Sequence, residues 1–162
     1  MIVISSNAHV SRLADIEDSV RGSEIFIDDF AVVDSFVKIK PAGGAGNCYV
    51  GKRSVINSGC VIYTGNGVHI SDDVAVAANC VFAPVNHEFK EKKALIMKQG
   101  FQPSRGGIIV ESDVWIGAGS IILDGAVLRQ GCVIGAGSLV RGEVPAYSIN
   151  VGNPLVLKGW RN

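Results

Sequence analysis

The sequence predicts an all-β chain, a parallel β-helix of triangular cross-section built from six-residue repeats. Three observations carry that fold class. Counting in sixes from Val110 meets Ile116, Ile122, Leu128, Ile134 and Val140. Four residues after each of these comes a small or short side chain: Val114, Ser120, Ala126, Cys132, Ser138 and Val144. Glycine is abundant, 20 Gly against 5 Pro, and it clusters beside the repeat at Gly117, Gly119, Gly125, Gly131, Gly135 and Gly137. A helix repeats near 3.6 residues and a strand at 2.0, so a sustained period of six fits neither alone. It fits short strands joined by tight corners, where glycine supplies positive φ at low cost.

The same rhythm runs back to the N-terminus in blocks of three. Ile4, Val10 and Ile16 form the first block, Ile27, Val33 and Ile39 the second. Val50, Ile56 and Ile62 follow, then Ile70, Val76 and Phe82. With the two later blocks there are eighteen slots, and seventeen hold Ile, Val or Leu, types that make up only 46 of the 162 residues. Three sixes make one coil with three faces, and coils stacked at about 4.8 Å give a prism roughly 29 Å tall. The blocks begin at 4, 27, 50, 70, 110 and 128, with gaps of 23, 23, 20, 40 and 18. Subtracting one eighteen-residue coil leaves excesses of 5, 5, 2, 22 and 0, all placed after the third strand of a coil. The extra residues therefore leave the prism at one corner. The longest excursion, a loop at about 86–107, has the length of a functional loop. His87 stands where it departs. The chain reads as a single domain, 1–162, with the β-helix over about 4–145 and a C-terminal tail at 146–162.

Composition narrows the function. Apolar residues make up 48% and charged residues 19%, enough for a packed core. The formal net charge is zero and no long basic run occurs, which argues against nucleic acid as a partner. The opening "MIVISSNAHV" lacks a signal-peptide pattern and no apolar run approaches a membrane span, so the expectation is a cytoplasmic chain without membrane insertion. Cys60, Cys80 and Cys132 fall on the small-residue slots and read as core fillers, with Cys48 in an insertion and no CxxC. "KEKK" at 90–93 reads as a solvated face. "PAGGAGN" at 41–47 reads as an elongated corner, since no Lys–Ser/Thr follows it. Val32, Val55, Val61, Val81 and Ile121 point outward from flat faces and favour burial between chains.

The segments "INSG", "ISDDVAVAANCVFAPVNHEF", "VWIGAGSIIL" and "VIGAGSLV" resemble the hexapeptide-repeat acyltransferases, within them the galactoside, maltose and O-antigen acetyltransferase group. The likeness covers nearly the whole chain. It implies a left-handed β-helix, although ordinary crossover rules favour the right hand. It implies a homotrimer with sites in the clefts between subunits, acetyl-CoA as acyl donor, no metal, and a sugar acceptor, in surface polysaccharide or lipopolysaccharide biosynthesis. By the same likeness His87 is the general base that deprotonates the acceptor hydroxyl, a role suited to imidazole. Asn57 matches an Asn that helps bind the acceptor, and the backbone N–H of Ala118 an oxyanion donor. Trp115 and Gly117 lie beside that donor. Ala136 matches the path of the pantetheine arm, with Arg141, Lys158 and Arg161 candidates for the CoA phosphates and Glu88 a candidate to orient His87. Thr64 and Gly65 stand where the galactoside enzymes carry an acidic pair, which points away from a simple galactoside and toward a polysaccharide, lipid-linked or nucleotide-linked sugar.

Three rival readings stand beside this one. N-acetylation of an amino sugar would use the same fold and donor. A zinc carbonic-anhydrase-like β-helix would use His69 and His87, near one corner on adjacent coils, but zinc takes at least three protein ligands and His9 falls elsewhere. A non-enzymatic scaffold would leave the loop at His87 unexplained.

Overall fold

The structure is a computed structural model that describes all residues from 1 to 162. Seven, eight and six strands form three sheets, the faces of a triangular prism. Each coil contributes one short strand to each face in turn. On the first face Ile27 pairs with Val50, Val50 with Ile70, Ile70 with Val110 and Val110 with Leu128, so the aliphatic slots stack in register. From Ile27 to Val140 every slot residue is buried, as are Ala31, Cys60, Cys80, Ala126 and Cys132 at the small positions. The period of six is thus the spacing of inward-facing side chains in a core one residue deep from each face. Burying each Ile contributes about 1.5–3 kcal/mol. Burial alone pushes the Cys48 thiol up to about 12, and chiefly the same cause does so for Cys132, so these are fillers and not nucleophiles.

The first coil differs. Ile4 is 44% exposed, and Val10 and Ile16 are only half-buried, because no coil lies beneath them. At the other end the stack continues past Val144. Strand Ser148–Val151 adds to the second face, and Val156–Trp160 turns back on it antiparallel. Arg161 fixes that end by donating to the carboxylate of Asp113 at 2.8 Å and to the carbonyl of Gly131 at 2.9 Å.

The corners show where glycine is needed and where it is not. Gly59, Gly119, Gly131 and Gly137 adopt φ between 68° and 73°, but Phe30, Phe36, Arg53, Asp73, Asn79, Asp113 and Tyr147 hold the same left-handed conformation. The repeat imposes the turn and the side chain accepts it, at a cost of about 1–2 kcal/mol for residues other than Gly, Asn and Asp. Gly117 does not adopt that conformation and is glycine for another reason. A Cβ there would lie 2.5 Å from the backbone nitrogen of Ala136 on the next coil.

All insertions leave by the corner between the third and first faces. The long one begins with a neck, a short antiparallel ladder. Gln102 N–H donates to the Asn86 carbonyl at 2.8 Å, Glu88 N–H to the Gly100 carbonyl at 3.0 Å, and His87 bridges Phe101. A one-turn helix, Ile96–Gln99, forms the tip. The returning foot is held by Asp124, a carboxylate only 5% exposed. It accepts from the backbone N–H of Arg105 at 2.9 Å, the N–H of Gly107 at 3.0 Å and the Asn66 amide at 3.1 Å.

Two outcomes are expected from this architecture. Ile122→Ala, at a fully buried slot, lowers unfolding stability by about 2–5 kcal/mol. Ile4→Ala, at the aliphatic slot of the open first coil, costs well under half of that; equal shifts in the denaturation midpoint would contradict the stacked-core account. Asp124→Ala strips three donors of their acceptor, a loss on the order of 1–3 kcal/mol per buried group left unpaired. Amide exchange should then quicken at Arg105 and Gly107 while the core strands stay protected. Unchanged protection at Gly107 would remove Asp124 from its anchoring role.

Candidate functional site

The candidate residues fall into two groups at two corners. The first group lies where the second face turns into the third. Asn57, Gly117, Ala118 and Ala136 stack there on successive turns 57–60, 77–80, 117–120 and 135–138. The backbone N–H groups of Ala118 and Ala136 are exposed and make no hydrogen bond, although the Ala118 carbonyl accepts from Gly137 at 2.9 Å. Gly119 at φ 69° makes the 118–119 turn of type II, which lays the 118–119 peptide along the stack, its carbonyl on Gly137 N–H and its N–H on the Ala78 carbonyl, and leaves the Ala118 N–H unpaired. Inside this corner a ladder of small donors satisfies the turn carbonyls. Cys60 Sγ donates to the Ala77 carbonyl, Cys80 Sγ to the Gly117 carbonyl and Ser120 Oγ to the same carbonyl at 2.7 Å. The ladder holds the turns rigid and so presets the unpaired N–H groups. Asn57 is committed to this scaffold, its Nδ2 donating to the Val76 carbonyl at 2.8 Å.

The second group lies where the third face turns into the first. His87 is exposed on the loop neck, its ring 4.7 Å from that of Phe101 and tilted by 40°. Its imidazole makes no hydrogen bond within the chain. Glu88 does not orient it. The Glu88 carboxylate instead accepts from the backbone N–H groups of Phe89 and Lys90, which hold it below the usual carboxylate range. Arg141, exposed and without an acidic partner, stands at this same corner one coil above Asp124. His69 is central on the first face, stacked on Tyr49 at 4.8 Å.

The remaining candidates belong to neither corner. Trp115 is 51% exposed in the middle of the second face, between Ala75 and Val133. Lys158 is exposed on the closing strand. Arg161, expected to meet a CoA phosphate, is instead occupied with Asp113 and Gly131. Asp124 is not among the residues that the repeat or the resemblance singles out. Its only signal in the sequence is an acid two residues after an aliphatic slot, at the corner where the loop departs.

The two corners are separated by the third face. From Ala118 to Asp124 runs six residues of mostly extended chain, a span on the order of 15 Å. One acyl carbon cannot lie within hydrogen-bond range of the Ala118 N–H and of His87 in the same chain.

Comparison with known proteins agrees with the fold. Residues 107–142 match the family model for the bacterial transferase hexapeptide (six repeats). A probable acetyltransferase of Mycobacterium tuberculosis is 33% identical over 109 residues, 67% of this chain and 36% of that protein. A galactoside O-acetyltransferase of Lactococcus lactis is 31% identical over 97 residues, 60% of this chain and 42% of that one. A mitochondrial gamma carbonic anhydrase of Arabidopsis thaliana is 31% identical over 140 residues, 78% of this chain and 49% of that one. The chain thus spans half or less of these relatives. Among solved structures, an N-acyltransferase from Bacillus cereus, in complex with dTDP and coenzyme A, superposes with a TM-score of 0.82 at 22% identity, over 99% of this chain and 84% of that one. The stacked parallel strands are those of a left-handed β-helix of hexapeptide repeats. Residues 107–142 thus belong to the hexapeptide-repeat transferase family, and the chain as a whole shares the fold of the solved acyltransferase.

Proposed function

We propose that this protein is an acetyl-CoA-dependent O-acetyltransferase acting on a sugar hydroxyl, with His87 as general base. The observation that carries the reading is the loop neck. The one long insertion in a strict repeat is fixed by a backbone ladder and by Asp124, and it presents an imidazole free of any internal hydrogen bond. The relatives named acetyltransferases support the donor and the reaction class, and the galactoside enzyme supports a sugar acceptor.

The chemistry follows from the groups present. A sugar hydroxyl is a weak nucleophile at neutral pH, and a base within hydrogen-bond reach removes its proton as it attacks. The acceptor oxygen bonds to the thioester carbonyl carbon, and the carbonyl oxygen gains negative charge. The unpaired Ala118 N–H stabilises that oxyanion from a turn already rigid before reaction. Collapse breaks the carbon–sulfur bond. The thiolate of CoA takes the proton held by the His87 imidazolium, which leaves an acetyl ester, free CoA and neutral His87. The exposed Ala136 N–H, one coil above, is available to an amide of the pantetheine arm.

Because a whole face separates His87 from Ala118, the site is formed by two chains. One chain supplies His87 and its neighbour the Ala118 corner, in the homotrimer that the family resemblance implies. The outward aliphatics support such packing: Ile121 is 40% exposed, and Ile109 likewise 40%. Asn57, whose side chain is bonded to the scaffold, serves the acceptor only by way of its carbonyl oxygen. N-acetylation of an amino sugar uses the same groups and is separated from the O-acetyl reading by product analysis. A second reading is zinc-dependent carbonic anhydrase chemistry, favoured by the plant relative; His69 and His87, expected near one corner on adjacent coils, instead stand at the start and the end of one coil, His69 within the first face and His87 on the loop neck. No group of three His, Cys, Asp or Glu that could hold a metal occurs in the chain, so its own residues do not fit that ion.

His87→Ala should lower the rate of acetyl transfer by about 10²–10⁴-fold with KM for acetyl-CoA nearly unchanged. Folding should survive, since the ring lies outside the core. His69→Ala should keep near-full turnover. Full activity in the His87 variant, or equal damage from both variants, would end the general-base assignment.

A further inference from the structure

The largest cavity on the molecule, about 570 Å³, opens between the loop and the third face. It lies within the size range of small-ligand sites. Lys90, Arg105 and Arg141 line it, together with Phe89, Asn86 and Gln102. None of the three cations has an acidic partner, whereas Arg53, Arg129 and Arg161 all do. The acid in the wall, Asp124, is fully engaged by the N–H groups of Arg105 and Gly107 and by Asn66. It therefore holds the Arg105 backbone in place without pairing the guanidinium. The Phe89 ring is 59% exposed at the rim.

We propose that this cleft binds the diphosphate of a nucleoside-diphosphate-linked sugar, the acceptor of the reaction. The proposal rests on the sugar-acyltransferase reading above. Two guanidinium groups and an ammonium present the forked and point-charge donors that adjacent phosphates require. The Phe89 ring offers a planar base or ribose a stacking surface, and the two amides suit sugar hydroxyls or a base edge. Coenzyme A also carries a diphosphate, so the chemistry has two sources. Position favours the acceptor. Asn86 and Gln102 line the cleft from the same neck that holds His87, on the opposite face of its ladder, whereas the free Ala118 and Ala136 N–H groups stand at the far edge of the third face. Arg141, matched to the CoA phosphates by resemblance, is here assigned to the acceptor.

The test is calorimetric titration of the assembled wild-type protein and of the double variant Arg105→Gln/Arg141→Gln, with UDP, dTDP, GDP and CoA as separate probes. At least one nucleoside diphosphate should bind the wild type, more weakly as salt rises. The double variant should lose that affinity by at least about tenfold per guanidinium removed, while CoA affinity stays within about twofold because its proposed contacts lie at the other corner. Both side chains are exposed, and a thermal melt equal to wild type confirms folding. Loss of CoA affinity with nucleoside diphosphate affinity unchanged would assign the cleft to the donor and overturn the proposal. No binding of any nucleoside diphosphate, or no effect of the double variant, would overturn it as well. The titration needs no turnover, so it fails or succeeds independently of His87. His87→Ala should leave nucleoside diphosphate binding intact.

Discussion

In-register stacking is the constraint on which the rest of this molecule depends. Each inward aliphatic sits directly above its counterpart one coil below, and the backbone N–H groups of one coil donate to the carbonyls of the next. A single residue inserted within a face would turn the following side chains from the core to the solvent. Two corners therefore keep a fixed length throughout, even where this forces Phe30, Phe36, Arg53 and Tyr147 into the left-handed region. Variation is admitted only at the third corner. There the chain can leave and return without disturbing register, and there the loop is found.

That division of labour shapes the proposed chemistry. The invariant corner between the second and third faces repeats one turn, so it offers backbone N–H groups in a row at fixed height, suited to an extended amide-bearing arm. The variable corner offers side chains on an insertion, suited to recognising a particular acceptor. The prism keeps the two apart by the width of a face. A reaction that needs both must join chains, and the need for an oligomer then arises from the geometry of one subunit as well as from the aliphatics on its surface.

Most of the fold is legible in the sequence because the period of inward residues is itself the fold. The slots from Ile27 to Val140 are buried as the count in sixes requires. What the count does not reveal is set by ends and by local hydrogen bonds. Ile4, Val10 and Ile16 obey the repeat but lack a coil beneath them. Strand 148–151 keeps the spacing, with Asn150 six residues after Val144, but fills the slot with a polar residue, and strand 156–160 lies outside the repeat because it pairs antiparallel. Glycine is abundant at the corners, yet the stacked coils tolerate larger residues there. At the site, the resemblance points to His87 and the Ala118 corner, and the structure shows that they stand on different edges. Glu88 and Arg161 are charged groups whose partners, the Phe89 and Lys90 N–H groups and Asp113, come from backbone and tertiary geometry that sequence does not display. Asp124 is hidden for the same reason, since its role depends on a loop foot 17 to 19 residues earlier.

The central claim is that one active site is assembled from His87 of one chain and the Ala118 corner of another, and subunit complementation tests it most directly. Ala118→Pro deletes the N–H at a type II turn position that proline favours, so the fold is retained. Chains with His87→Ala alone, and chains with Ala118→Pro alone, should each be nearly inactive. Co-expressed in equal amounts and purified as mixed assemblies, they should recover roughly a quarter of wild-type turnover, since one interface in four pairs two intact halves. Mixed assemblies that stay as inactive as either parent would contradict the account and place both groups within one chain.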